Sequence, residues 1–185
     1  MTCLVFLLEE PSARDALEGW LPRLVPPHVA IRFVVFQGKQ DLKLRLAHRI
    51  AHWLAPDSHF LVLVDQDRDE CRTLKRELVQ RCEEAGRPDA AVRIACRELE
   101  AFFLGDWEAV AKAFDRPALG RLGARAAYRD PDRVQSPARE MQRHIAGYQK
   151  RDGARRIAPL MDLEGNRSRS FQALRQAILK IAAAV

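Results

Sequence analysis

The sequence predicts an α/β protein: a small, mostly parallel sheet of about four strands with helices on both faces, followed by a basic helical C-terminal extension. Four apolar runs of strand length alternate with segments whose apolar residues recur at helical spacing. The connections between these segments are short, and strand–helix–strand units with short connections form parallel sheets covered on both faces. The balance of charge also changes near residue 116, where the extension begins.

Each predicted strand is a run of mainly apolar residues. Continuous apolar runs are typical of parallel strands, because both faces of a parallel sheet are covered by helices. The predicted strands are Thr2–Leu8, Val29–Phe36, Phe60–Val64 and Ala91–Cys96. Pro11 ends the first run, and Pro26-Pro27 mark a loop before the second.

The predicted helices follow from apolar residues at three- and four-residue spacing. In the first part of the chain they are expected at about 12–24, 40–54 and 69–85, and a further helix is expected to begin at Asp106. In the second part they are expected at about 117–127, 136–146, 154–161 and 168–183. The apolar stretch Ala101–Leu104 is interpreted as a turn. The candidate N-caps are Ser12, Asp67 or Asp69, Asp106, and Ser168 or Ser170.

Composition bounds the class of protein. With 185 residues, 48% of them apolar and 30% charged, the chain is expected to be a soluble globular protein. No apolar run approaches the length of a membrane span, and Met1–Leu8 is too short for a signal peptide. We therefore expect a cytoplasmic protein without a membrane partner. Its four cysteines lack metal-binding spacing, and because each lies in an apolar strand or on the apolar stripe of a helix, we expect them to be reduced core thiols.

The two parts of the chain differ in charge. Residues 1–115 hold 16 Lys/Arg and 19 Asp/Glu, whereas residues 116–185 hold 15 Lys/Arg and 6 Asp/Glu, so the net charges are −3 and +9. We expect an α/β domain at 1–115 and a basic helical extension packed on it at 116–185. This asymmetry suggests that one part holds a polyanion on which the other acts. The alternative is that arginines simply decorate solvated helices.

Acidic residues follow three of the four predicted strands. They are Glu9 and Glu10, Asp65 and Asp67, and Glu98 and Glu100. Because parallel strands bring their carboxyl ends to one edge, these carboxylates are expected to meet there. Two carboxylates about 4 Å apart repel by roughly 4 kcal/mol at an effective dielectric near 20, so such a cluster needs a proton, a basic side chain or a hard cation. The pattern therefore predicts a site for Mg²⁺ (or Mn²⁺), and the alternative is a polar turn that caps the next helix.

Basic residues in two parts of the chain are candidates for contacts with nucleic-acid phosphates. Lys39 follows the second strand, and the extension mixes basic, aromatic and hydroxyl residues in two segments, a composition that suits phosphate contacts. The candidates are Lys39, Lys150, Arg155, Arg156, Arg167 and Arg169. In the alternative interpretation, some of these arginines pair with the acidic half of the chain. His48 and His52 are interpreted as surface histidines, because the Glu of a zinc-binding HExxH motif is missing.

The order of the acids resembles the Toprim fold of topoisomerases, primases and overcoming-lysogenization-defect nucleases, with Glu9 matching the first Toprim glutamate and Asp65-Gln66-Asp67 the Asp-x-Asp. Five segments are similar to one bacterial family, the Toprim-like domain-of-unknown-function family four-two-seven-six, and the resemblance spans nearly the whole chain. These segments are Gln37–Lys39, Val64–Cys71, Arg97–Asp106, Tyr148–Arg155 and Asn166–Phe171.

The resemblance implies a Mg²⁺-dependent nuclease subunit that acts on nucleic acid, with DNA favoured over RNA. Asp65 and Asp67 would hold the metal, Glu9 would be a further ligand or general acid/base, and Glu100 or Glu98 would complete the cluster. Similar proteins are often encoded beside an ABC/SMC-type ATPase in mobile-element or phage-defence gene pairs. The ATPase would be a separate protein, because the chain has no GxxxxGK[ST] motif.

Two other functions stay open. The chain could be a non-catalytic module that binds a partner or nucleic acid through its acidic edge. A haloacid-dehalogenase-type phosphatase also uses Asp-x-Asp, but it carries its nucleophile on the first strand of its core motif, whereas Asp65 follows the third strand here.

Overall fold

A parallel sheet forms the centre of the fold. The computed structural model describes residues 2–184, and within them the strands are β1 (Cys3–Leu8), β2 (Ala30–Val35), β3 (Ser58–Asp65) and β4 (Ala91–Ala95). All neighbouring strands pair in parallel, in the order β2-β1-β3-β4. The predicted four-stranded parallel sheet is therefore confirmed. β1 is buried along its whole length and β3 along nearly all of its length, as expected of central strands between two helical layers.

Helices cover both faces of this sheet. They are α1 (Pro11–Trp20), α2 (Lys39–Ala51), α3 (Cys71–Glu84), α4 (Glu100–Leu104), α5 (Trp107–Ala113), α6 (Pro137–His144), α7 (Lys150–Ile157) and α8 (Arg169–Ala183). Short 3₁₀ segments lie at Leu21–Arg23, Pro117–Ala124, Ala126–Tyr128, Pro131–Arg133 and Ala158–Leu160. Among the described residues, no helix is both long enough and apolar enough to cross a membrane.

The two faces of the sheet have different coverings. Alternate residues of a strand point to opposite faces. Val5 and Leu7 pack with α2 and α3, whereas Phe6 and Leu8 face the layer that contains α1, α4, α5, α7 and α8. In this second layer the Trp20 ring lies 5.0 Å from that of Phe171. The basic extension thus shares one continuous core with α1 and the sheet.

Several local predictions differ from the structure. The expected helix at 117–127 consists of two 3₁₀ segments, and it contains two glycines, which are poor helix formers. The expected turn at 101–104 is instead the short, fully buried helix α4. The helix expected at 154–161 begins earlier, at Lys150, and its α-helical part ends at Ile157, shortly before Pro159, which has no N–H to donate.

The helix starts also show which polar residues act as caps. Helix α1 begins at Pro11, so Glu10 rather than Ser12 is its N-cap residue, and proline is favoured in the first turn because it lacks an N–H. Glu70, rather than Asp67 or Asp69, caps α3. The predicted caps Asp106 and Ser168 are confirmed, since their side chains accept hydrogen bonds from Ala109 N and Phe171 N.

Candidate functional site

Carboxylates gather where the strands end. Glu9 and Glu10 follow β1 directly, Asp65 is the last residue of β3, and Glu100 begins α4 after β4. Glu9, Asp65 and Glu100 are buried, with Glu100 fully inaccessible. Buried carboxylates are rare unless they are paired or bind a ligand.

Three of these acids surround one ammonium group. The Nζ of Lys150, the first residue of α7, lies 3.2 Å from Glu10 Oε1, 3.9 Å from Glu100 Oε2 and 4.0 Å from Asp65 Oδ2. We call Glu10, Asp65, Glu100 and Lys150 the Lys150 cluster. Its acids come from the sheet half of the chain and its cation from the basic extension, so packing of the extension completes the cluster.

Two oxygens in the Lys150 cluster are buried without a hydrogen bond. Asp65 Oδ2 and Glu100 Oε2 are inaccessible to solvent, and neither has a hydrogen-bond partner. Their distances of about 4 Å to Lys150 Nζ are too long for hydrogen bonds. The other Glu100 oxygen accepts a long bond of 3.4 Å from the Tyr148 hydroxyl. Because a buried, unpaired carboxylate oxygen is costly, these two atoms are available to a proton or a ligand.

The charges in the cluster do not balance. If all three carboxylates were ionised, the single ammonium would leave a surplus of two negative charges. Burial, reinforced by the negative charge of Glu10, raises the pKa of Asp65 well above its ordinary value. Burial also raises the pKa of Glu100 to about 7. Although burial alone would lower the pKa of Lys150, the attraction of the Glu100 and Glu10 carboxylates outweighs it and raises that pKa.

A second lysine forms tighter contacts nearby. Lys39 Nζ lies 2.6 Å from Asp67 Oδ2, 3.1 Å from Asp69 Oδ2 and 3.1 Å from the Gln66 carbonyl oxygen. We call Lys39, Gln66, Asp67 and Asp69 the Lys39 cluster. The Asp67 and Asp69 side chains are about half exposed, at 50% and 43%. This cluster ties the loop after β3 to the start of α2.

Asp65 and Asp67 therefore lie in different clusters. In an extended segment, residues two apart point their side chains the same way, which would bring Asp65 and Asp67 together. The strand ends at Asp65, and Asp67 adopts a left-handed conformation with φ of +53°. The change of backbone direction turns the Asp67 carboxylate toward Lys39.

Glu9 connects the ends of two strands. Its Oε2 accepts a hydrogen bond of 2.9 Å from the backbone N–H of Asp65, which joins the end of β1 to the end of β3. Burial raises the pKa of Glu9, although this N–H and the charge of Lys39 oppose the rise. Glu9 thus holds the Asp65 backbone in place, and Glu10 is the residue that faces Lys150.

Glu98 and Glu100 also separate. Glu98 Oε2 accepts a hydrogen bond of 2.8 Å from Ala138 N in the first turn of α6. Arg97, just before Glu98, has a φ of +63°, and helix α4 then places Glu100 in the buried layer. Of the two glutamates, Glu100 is the one that lies against Lys150.

Arg155 pairs with an acidic residue of α1. Arg155 Nε donates to Asp15 Oδ1 at 3.1 Å, and Arg151 Nε donates to Asp15 Oδ2 at 2.7 Å. The Asp15 side chain is only 4% exposed. This group joins α7 to α1 and is one of the contacts that hold the extension against the sheet half.

The other predicted phosphate contacts also have neighbours within the protein. Arg167 donates to the Gly123 carbonyl at 2.7 Å, and Arg169 donates to Asp130 at 2.7 Å. The Arg156 guanidinium lies 5.0 Å from the centre of the Phe114 ring and 3.7 Å from Asp152. The structure therefore distributes the sequence-predicted basic residues among several internal contacts and does not gather them into one patch.

Sequence reasoning places Glu10 at the sheet edge but does not choose it as a ligand, and it misses the roles of Tyr148 and Asp15. It selects Glu9 instead of Glu10, because Glu9 matches the first Toprim glutamate. The position of Glu10 before Pro11 is nevertheless a usable signal, since proline favours the first position of a helix and the residue before it then lies between the strand and the helix. Tyr148 and Asp15 carry no such signal, because their roles depend on how α7 packs against α1 and α4.

The Lys150 cluster fits a hard divalent cation by donor type and by charge. Its donors are carboxylate oxygens, two of them unpaired, and with all three acids ionised the surplus of two negative charges would offset the two positive charges of one Mg²⁺. Across residues 2–184, however, no three His, Cys, Asp or Glu side chains are already grouped closely enough to hold a metal ion. The three carboxylates surround an ammonium instead, so a cation would have to displace Lys150 from the centre.

Comparison with protein families gives one match. A family model described as a domain of unknown function (DUF4276) matches residues 8–179, a range that includes both lysine clusters. No curated protein and no solved structure matches the chain significantly.

Proposed function

The chain belongs to the DUF4276 family, and on that premise we propose that it is a Toprim-like nuclease subunit that uses Mg²⁺ or Mn²⁺ to hydrolyse phosphodiester bonds. The observation that carries the proposal is the pair of buried, unpaired oxygens in the Lys150 cluster, Asp65 Oδ2 and Glu100 Oε2. They lie at the carboxyl edge of a parallel sheet, where α/β proteins bind their ligands.

Each residue of the cluster has a separate part in this proposal. Glu10, Asp65 and Glu100 would hold the cation, which when bound would polarise the phosphodiester and make water a better nucleophile. Lys150, freed from part of its carboxylate contacts, would offer N–H donors to a phosphate oxygen. Glu9 would position Asp65 through the hydrogen bond to its backbone N–H.

The substrate and partners follow from charge and from the family resemblance. The net charge of +9 on residues 116–185 favours a polyanion, and we propose a polynucleotide, with DNA favoured over RNA. A separate ABC/SMC-type ATPase would act with the chain in the cytoplasm, in a mobile-element or phage-defence system.

One observation favours a second function. Lys150 already supplies a positive charge to the acids, and a metal-binding group is not assembled among the described residues. A protein that keeps this lysine in place would be a non-catalytic module that binds nucleic acid or a partner. The two functions differ in whether a divalent cation enters the Lys150 cluster.

The deciding experiment measures metal binding and cleavage on the same preparations. Calorimetry would follow Mn²⁺ binding, and plasmid and single-stranded DNA would report cleavage with Mg²⁺ or Mn²⁺, with and without the neighbouring ATPase. Glu100→Gln keeps the size of the side chain and removes its charge, and Glu83→Gln is the matched control because Glu83 is exposed on α3.

For a nuclease, we expect Glu100→Gln to lose both metal binding and cleavage while Glu83→Gln keeps both. If metal binds but neither DNA substrate is cut under any condition, the non-catalytic module is the better description. If no metal binds to the unmodified protein, the nuclease proposal is abandoned.

A further inference from the structure

A second group of titratable side chains lies away from the sheet edge. A cavity of about 300 Å³ lies between the 3₁₀ segment Ala126–Tyr128 and helix α6. The side chains that matter for its chemistry are those of Arg125, Tyr128, Glu140, Arg143 and His144. None of these residues belongs to the Lys150 cluster or the Lys39 cluster.

The floor of this cavity is a hydrogen-bonded group. The Tyr128 hydroxyl donates to Glu140 Oε2 at 2.6 Å and lies 2.8 Å from His144 Nε2. Since the phenol proton goes to Glu140, the His144 Nε2–H is the donor to the phenol oxygen. The Trp107 ring packs behind them, 4.9 Å from the Tyr128 ring and 5.4 Å from the His144 ring. Two hydrogen bonds and the packed Trp107 ring therefore hold the floor in place.

The rim of the cavity carries two available guanidinium groups. The Arg125 side chain forms no hydrogen bond or ion pair within the described residues, and Arg125 is exposed. Arg143 is 72% exposed, and its contact with a carboxylate is a loose one of 3.7 Å to Glu140. Arg155, Arg167 and Arg169, by contrast, are engaged in internal hydrogen bonds.

The charge of the cavity comes from these two arginines. Burial lowers the pKa of His144, and the nearby Arg143 and Arg125 lower it further while Glu140 opposes them. Histidine is therefore mainly neutral here at pH 7, and the single carboxylate of Glu140 is outnumbered by two guanidiniums. Two guanidiniums that outnumber the one nearby carboxylate are suited to a phosphate oxyanion.

We propose that this cavity binds a phosphate group of a polynucleotide strand, between Arg125 and Arg143. Val134 lines the cavity, and the next residues, Gln135 and Ser136, line a neighbouring cavity of about 390 Å³ whose other walls include Asp67 and Glu98. The two cavities thus share one segment and lead toward the carboxyl edge of the sheet. The assignment to a strand rests on the proposed function, whereas phosphate binding itself does not.

The test uses the indole N–H signals of the ¹⁵N-labelled protein, measured in EDTA so that no metal chemistry contributes. The chain has three tryptophans. Trp20 Nε1 contacts Met161 Sδ and Trp53 Nε1 donates to Ser58, whereas Trp107 packs on the cavity floor. Trp53→Phe helps assign the spectrum. The probes are inorganic phosphate, a mononucleotide and a short single-stranded oligonucleotide.

We expect the Trp107 signal to shift in a saturable way, with the oligonucleotide binding more tightly than the mononucleotide or phosphate. Arg125→Gln with Arg143→Gln should weaken oligonucleotide binding at least tenfold, roughly the effect of losing one charge-assisted hydrogen bond. The control, Arg49→Gln with Lys75→Gln, removes the same charge from exposed positions on α2 and α3 and should change binding little.

Three results would overturn the proposal. One is a Trp107 signal that does not move with any probe. Another is an equal loss of binding in the control variant, which would indicate diffuse electrostatics. The third is equal affinity for the mononucleotide and the oligonucleotide, which would exclude a strand as the ligand. This test measures binding and does not depend on cleavage. A protein that binds the oligonucleotide here but cuts no DNA in the cleavage assay would refute the nuclease proposal and leave the proposed phosphate site intact.

Discussion

The Lys39 cluster and the Lys150 cluster are built from the same groups but differ in how well those groups are satisfied. Both place one ammonium among carboxylates at the carboxyl edge of the sheet. Lys39 forms hydrogen bonds of 2.6 and 3.1 Å with two half-exposed aspartates. Lys150 lies 3.9 and 4.0 Å from two buried carboxylate oxygens that have no hydrogen-bond partner.

This difference separates a structural ion pair from a candidate binding site. In the Lys39 cluster, short hydrogen bonds satisfy the largely buried ammonium and solvent reaches the two aspartates, so a ligand would gain little by entering. In the Lys150 cluster, Asp65 and Glu100 have lost their solvation without gaining full hydrogen bonds, and a cation would relieve that cost. We infer that burial of carboxylates without complete hydrogen bonding, rather than the presence of acids alone, distinguishes the cluster that binds a ligand.

The comparison predicts effects of different size for the two aspartates, Asp65 and Asp67, that share one Asp-x-Asp motif in the sequence. Asp65→Asn should reduce metal-dependent DNA cleavage by about 100-fold or more, the usual effect of removing one preorganised charge from an active site. Asp67→Asn should reduce it much less, because Asp67 faces Lys39. Initial rates at saturating Mg²⁺ would measure both. Equal losses would show that both aspartates serve one metal site.

The two lysines are expected to differ in their effect on stability. Lys150→Met leaves three carboxylates near one another without a cation. We expect a loss of about 3 kcal/mol in the free energy of unfolding, at the lower end of the range for broken buried pairs, because Lys150 is 37% exposed. Lys39→Met should cost about 1 kcal/mol or less, because its acids reach solvent.

Urea unfolding with and without Mg²⁺ measures this difference. Added Mg²⁺ should restore much of the stability lost in Lys150→Met, because the ion can take the place of the ammonium, and should restore little in Lys39→Met. A Lys150→Met protein that is insensitive to Mg²⁺ would argue against a cation site in this cluster.

Asp15 supplies a third case, a buried carboxylate that is fully paired. Burial raises the pKa of Asp15, but the hydrogen bonds from Arg151 and Arg155 outweigh it and hold that pKa below its ordinary value. Because the folded pKa is the lower one, the contribution to stability is present above about pH 4 and is lost as the pH falls through the folded pKa.

Asp15→Asn tests this contribution. It should lower the free energy of unfolding by about 2 kcal/mol at pH 7, the scale of a hydrogen bond to a charged group. The difference from the unmodified protein should shrink as the pH falls below about 4. Urea unfolding across that range would show it, and a difference that stays constant with pH would mean that ionised Asp15 is not what joins α1 to α7.

The smallest expected difference in stability is between variants of two adjacent arginines, Arg155 and Arg156. Both side chains are about half exposed, but Arg155 hydrogen-bonds to buried Asp15, whereas Arg156 stacks over Phe114. Arg155→Gln should therefore lower the free energy of unfolding by about 1 kcal/mol, and Arg156→Gln should change it by less than about half of that. Thermal unfolding of the two variants compares them directly.

Nucleic-acid binding by the same two variants separates docking from phosphate contact. A residue that contacts phosphate should flatten the salt dependence of binding by about one unit on log–log axes when it is removed. If Arg155→Gln does this and stability is unchanged, Arg155 serves the ligand and not the fold.

The sequence by itself determined the sheet, the family and the presence of acids at the strand ends. Apolar runs separated by helical patterns are local signals, and short connections leave few topologies besides a parallel sheet. For the same reason, Glu9, Asp65 and Glu100 can be placed at or after the ends of strands from the amino-acid pattern alone. These features depend on residues close together in the chain.

Only the tertiary structure decided which charges meet. Lys150 is 85 residues from Asp65 along the chain, and it reaches the acids because α7 packs on α1. The left-handed conformation of Asp67 sends its carboxylate to Lys39, and the sequence signal for two aspartates in one extended segment does not contain that backbone turn. Strand and helix signals are local, whereas the pairing of buried charges depends on which surfaces exclude water together, and the packed fold alone sets that.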